Sequence, residues 1–75
     1  MTKLEFLEAF QDVLQRDDMV EETEVLANLD EWDSLSKMAT MAYFKGHFGI
    51  AITLDQLGKL EKVSDLIALA GDKIQ

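Results

Sequence analysis

A helix start lies in the middle of this chain, and the residues on its two sides follow different rules. At Asp33-Ser34-Leu35 an acidic, irregular segment gives way to a run with helical periodicity. Asp and Ser are favoured N-cap residues, because their side-chain oxygens accept hydrogen bonds from the unpaired N–H groups of a helix's first turn. Charge changes at the same point. Residues 17–33 carry eight acids and no base, whereas residues 34–54 carry no acid and hold Lys37, Lys45 and His47. Ser34 is thereby placed with its hydroxyl exposed at the positive end of a helix, where an attached anion such as a phosphate is favoured.

Composition closes off several classes of function. There is no cysteine among the 75 residues, which excludes disulfides, a thiolate zinc site and a cysteine nucleophile, so any thiol chemistry must come from an attached group. Fifteen acids against seven Lys and Arg give a formal charge of −8. That balance disfavours nucleic acid, whose phosphates need clustered cations, and favours steered contact with basic protein surfaces. No apolar run approaches the ~20 residues that span a membrane, and the N-terminus lacks the apolar stretch of a signal peptide. A soluble, cytoplasmic monomer with no membrane association is expected. A chain this short buries roughly 60% of its surface, which leaves little room for a deep enzyme pocket. The acid run lacks the Asp-x-Asp-x-Asp-Gly spacing of a calcium loop, so no metal site is expected.

Three main helices and one short one are predicted, an all-α small bundle forming a single domain over residues 1–75. The first covers residues 2–15, with Thr2 as N-cap and Glu5 completing a capping box. Leu4, Leu7, Phe10, Val13 and Leu14 recur at helical spacing on its inward face, and Phe6 falls between the faces. Residues 16–33 read as a long ordered loop pinned by Val20, Val25, Leu26 and Leu29; a loop of that length is usually functional or contains a short helical turn. The second helix covers 34–48, with Leu35, Met38, Met41, Phe44 and Phe48 as its apolar stripe and Gly49 at the residue after its end. A short helix over Leu54–Leu60 turns Leu54, Leu57 and Leu60 inward. The last covers 64–74, with Leu66, Ile67, Leu69, Ala70 and Ile74 inward.

With these segments in place, the chain resembles the acyl carrier and peptidyl carrier proteins. The likeness is carried by Trp32-Asp33-Ser34-Leu35 after an acidic loop, by Phe48-Gly49-Ile50 at the end of the second helix, and by Lys62-Val63-Ser64-Asp65-Leu66 opening the last. It implies that Ser34 carries 4′-phosphopantetheine through a phosphodiester, and that the thiol of that arm holds an acyl or aminoacyl group as a thioester. It implies a protein that catalyses nothing itself. Its partners would be a phosphopantetheinyl transferase, a loading ligase and a downstream transferase. Fatty-acid members of that family usually bear acids along the second helix, where basic partners dock. This chain has Ala39, Lys45, Gly46 and His47 in that stretch and no acid. The departure implies a specialised stand-alone carrier whose partner presents acid or apolar surface to Lys37 and Lys45.

Each residue of the site also has a plainer reading. Ser34 is a helix cap or the attachment point, and the two are compatible. Asp33 is a cap or part of a surface that a transferase recognises. Trp32 is a loop anchor or a partner contact. Met38, like Met41, belongs to the core or lines a cargo pocket. Leu35 and Lys37 complete the candidate docking set. If Ser34 is only a cap, the same bundle is an unmodified protein–protein interaction module. A small hydrolase lacks a usable base: the one histidine, His47, lies about 20 Å along the same helix from Ser34.

Overall fold

In a computed structural model describing residues 1–75, helix α1 spans Lys3–Leu14 and begins with the predicted capping box. Thr2 Oγ1 accepts from the Glu5 N–H at 3.1 Å, and the Glu5 carboxylate accepts from the Thr2 N–H at 2.8 Å. The inward face is Phe6, Leu7, Phe10 and Leu14. Leu4, expected inside, is 57% exposed. Phe6 takes the inner stripe instead, and Leu4 lies about 200° around the helix from it, at 100° per residue. Phe6 earns that place by its partners: its ring stacks on Phe10 at 5.9 Å and meets Phe44 edge-on at 5.9 Å.

The long loop is tied down at both ends. Gln11 Nε2 donates to the carbonyls of Arg16 and Asp17 at 3.1 and 3.0 Å. Val20, Leu26 and Leu29 insert into the core, and Leu26–Asn28 forms one 3₁₀ turn. Val25, predicted as a fourth pin, lies at an exposed edge. It contributes backbone rather than side chain, in an isolated antiparallel bridge with Lys62. Around that bridge the Leu26 N–H donates to the Glu61 carbonyl at 2.8 Å, and the Val63 N–H to the Glu24 carbonyl at 3.0 Å. The Arg16 guanidinium meets the Glu24 carboxylate at 3.0 Å, and the Glu21 N–H donates to the same carboxylate at 2.7 Å.

Helix α2, Ser34–Phe48, runs through Gly46 without a break and ends at Gly49, whose φ of 69° is the left-handed conformation that glycine adopts freely. Helix α3 is Leu54–Gly58, two residues shorter than expected, capped reciprocally by Thr53 and Gln56. Leu57 is fully buried, but Leu54, expected inward, is exposed. Helix α4 covers Val63–Leu69 rather than continuing to residue 74. Gly71, at φ 60°, turns the chain into a 3₁₀ turn over Gly71–Lys73. Ala70 and Ile74 still reach the core. The two ends of the chain lie together, the Gln75 N–H donating to the Met1 carbonyl at 2.8 Å.

The architecture is all-α, four helices with no β-strand. Fifteen buried apolar residues from the helices and loops form one core. Helix α2 is the longest element, yet its only fully buried apolar side chain is Phe44. The rest of its inner row is Ser36 and Thr40, and the Thr40 hydroxyl donates to the Ser36 carbonyl at 2.8 Å. No buried side-chain polar atom is left without a partner.

Candidate functional site

The site is the first turn of α2 and the surface beside it. Asp33 is the N-cap, in extended conformation, and Ser34 is the first helical residue. Ser34 is therefore not the cap, correcting one of the two readings drawn from the sequence. The capping partner is Ser36. Its N–H donates to the Asp33 carboxylate at 3.0 Å, while its hydroxyl accepts from the Asp33 N–H at 2.9 Å. The same hydroxyl donates to the Glu31 carbonyl at 2.7 Å, which stitches the end of the loop to the helix. Spacing could have shown this, because Asp33 and Ser36 stand in the capping-box relation that the sequence reading applied only to Thr2 and Glu5. The N–H of Ser36 is the chief reason that the Asp33 carboxyl is held below its ordinary pKa, with the Ser36 hydroxyl adding to it. Ser34 stays outside this network, with its side chain exposed at the helix N-terminus.

Leu35 and Met38 do not join the core stripe to which the sequence assigned them. They are 77% and 58% exposed, the two most exposed large apolar side chains of the molecule. The reason is the register of α2. Phe44 is the anchor that meets Phe6, and four and eight residues before it the inner row is filled by Thr40 and Ser36. Leu35 and Met38 are one turn apart, so they form an apolar ridge beside Ser34. Open grooves flank the ridge. One, of about 550 Å³, is lined by Met38, Met41, Ala42, Lys45, Ala51 and Ile52 among others. The other, of about 480 Å³, has Leu35, Ala39, Val13 and Leu14 in its walls, with Asp33 and Glu31 at its edge. Met41 is half-buried and packs against the core while also facing the first groove.

Trp32 is half-buried and meets Phe10 edge-on at 5.6 Å, which anchors the end of the loop on α1. Lys37 Nζ lies 5.8 Å from the centre of the Trp32 ring. Lys37 thus covers the indole, whereas Lys45 lines the open groove. His47 sits at the far end of α2 with its ring stacked on Tyr43 at 4.0 Å. The structure does not bring it to Ser34, and no three of its His, Cys, Asp and Glu side chains cluster so as to hold a metal ion.

Comparison of the chain with protein-family models, with curated proteins and with solved structures gave no match. Fold and site together define a small all-α domain that presents an exposed serine at a helix start, beside an apolar ridge. No helix is long and apolar enough to cross a membrane.

Proposed function

We propose that this protein is a carrier of the acyl or peptidyl carrier type, with Ser34 as the attachment point for 4′-phosphopantetheine. The observation that carries the reading is the division of labour at the start of α2. Asp33 and Ser36 cap the helix between them, and Ser34, one residue inside, stays exposed and unengaged. A hydroxyl that a transferase must reach has to be free of structural work, and this one is. A phosphodiester there would sit at the positive end of a 15-residue helix, which favours an anion. The Asp33 carboxylate next to it is exposed, so its repulsion is weakened by water and salt. Once attached, the arm supplies the thiol that the cysteine-free chain lacks, and it holds cargo as a thioester.

The chain's own part is to present Ser34 and to be recognised. Leu35 and Met38 offer apolar contact one side chain away from the attachment point, with Asp33 and Trp32 on the loop side. Its partners on this reading are a phosphopantetheinyl transferase, a loading ligase for an acyl or aminoacyl group, and a downstream transferase. Four helices without a strand are compatible with that reading. The exposed ridge by itself would equally serve an unmodified interaction module of the same fold.

One covalent bond separates the two readings, and intact mass reads it. The protein is incubated with coenzyme A and a broad-specificity phosphopantetheinyl transferase, beside Ser34→Ala. Gain of a single phosphopantetheine by the wild type only is the expected result. No gain with several transferases, on folded protein, would overturn the carrier reading and leave the interaction module.

A further inference from the structure

All fifteen acids of the chain lie outside residues 34–54, and this acid-free stretch supplies the whole lining of the larger groove. The groove's apolar walls are Met38, Met41, Ala42, Ala51 and Ile52, and its one charged side chain is Lys45. Lys45 takes part in none of the three ion pairs of the structure. Lys37, the other cation of α2 and the second one expected to face a partner, is drawn instead over Trp32. In a molecule of net charge −8 this groove thus has a cation, Lys45, as its only charged lining residue.

From this we infer that the groove between α2 and the α2–α3 connector docks a protein segment with an apolar side chain at its centre and a carboxylate beside it, the carboxylate pairing with Lys45. A basic partner segment would be steered away to residues 17–33, where eight acids stand without a base. The exposed Met38 is part of the groove's lining, which suits contact with a protein surface. The apolar contact supplies affinity, and Lys45 supplies orientation and selection by sign. This inference does not depend on whether Ser34 is modified, since the groove is built without it.

Two synthetic helical peptides test it. They share one Leu-rich face, and one is flanked by Glu and the other by Lys. Each is titrated at low salt into the full isotopically labelled chain, and the amide resonances are followed. The Glu peptide is expected to shift Met38, Met41, Ala42 and Lys45 saturably, and Lys45→Glu to weaken it about fivefold or more, in line with reversing an exposed ion pair. Lys45→Met, which keeps the stem and removes the charge, should fall between. Ala42→Phe fills the groove and should abolish the shifts. Tighter binding of the Lys peptide in this groove, no saturable shift there with the Glu peptide, or indifference to both Lys45 variants would each overturn the inference. A positive mass result on Ser34 with a negative peptide result would reject the partner's charge and leave the carrier reading standing, and the reverse pair would do the opposite.

Discussion

Asp33 and Ser36 cap one another: the carboxylate of the first accepts from the N–H of the second at 3.0 Å, and the hydroxyl of the second accepts from the N–H of the first at 2.9 Å. Ser36 is buried and also binds the Glu31 carbonyl, so the pair fixes both the start of α2 and the path of the loop entering it. Ser34 is held in place by its neighbours and holds nothing itself.

That arrangement predicts opposite behaviour for two serines two residues apart. Ser36→Ala removes one of the two donors to the Glu31 carbonyl and opens the reciprocal cap, and should cost about 1–2 kcal/mol. Asp33→Ala should cost about 1 kcal/mol. Ser34→Ala should stay within ~0.5 kcal/mol of wild type, as for a surface position without structural partners. Urea unfolding of the three variants checks this; a cost for Ser34→Ala equal to that of Ser36→Ala would show that Ser34 carries structure after all.

The exposed ridge gives a second contrast. Leu35→Ala and Met38→Ala remove side chains that face water, and each should change stability by no more than ~0.5 kcal/mol. Phe44→Ala removes the fully buried one of the two α2 rings that meet Phe6, and such a truncation costs about 3–5 kcal/mol. A domain of this size has only a few kcal/mol in hand, so Phe44→Ala should be largely unfolded at room temperature by circular dichroism. Any loss of partner binding in Leu35→Ala or Met38→Ala would then be a surface effect.

Much of this was legible in the residues. Thr2 with Glu5, the Asp33-Ser34 step and Gly49 mark helix ends by local chemistry, and the helices begin and end there. The inward faces were harder. Apolar periodicity alone puts Met38 and Leu35 inside, because it cannot know that a helix may spend its inner row on Ser36 and Thr40 when Phe44 fixes the rotation and each hydroxyl finds a carbonyl. Leu4 and Leu54 were misplaced for a related reason: a short helix with more apolar residues than its inner face can take leaves the choice to its neighbours. The bridge between Val25 and Lys62 joins residues far apart in sequence through backbone alone, and no side-chain pattern announces it.

Acid should loosen the molecule at identifiable places. The carboxyls of Glu5, Glu24, Asp33 and Asp65 are all held below their ordinary pKa, in each case first by hydrogen bonds from backbone N–H groups. Groups with a depressed folded-state pKa contribute stability that is fully present above the unfolded-state value and is lost as pH falls through the folded-state value. The melting temperature should therefore hold near neutral pH and fall once pH drops below about 4. Glu24 is the one of these tied to Arg16 across the loop, so the amides of Leu26 and Val63 should lose hydrogen-exchange protection early in the acid limb. Glu24→Gln should flatten part of that limb; an unchanged acid profile would show that Glu24 does not report on the loop.

Gln15 offers a gain of stability. It ends α1 with φ 57°, the one residue other than glycine in the left-handed region. Its own N–H donates to the Asp12 carbonyl at 3.1 Å, and the Arg16 N–H donates to the Gln11 carbonyl at 3.2 Å, the paired bonds of a helix end that usually places glycine at this position. A side chain with a Cβ costs about 1–2 kcal/mol in this conformation. Gln15→Gly relieves that strain, and the greater freedom of glycine in the unfolded chain takes back part of it. The net expectation is a gain of about 0.5–1 kcal/mol, read as a higher urea midpoint with an unchanged slope. Gln15 is exposed, and the loop it launches is anchored by Gln11, Val20 and Arg16, so the route to Asp33 should be unaffected. A fall in the midpoint would mean that the Gln15 side chain supports the turn more than its Cβ strains it.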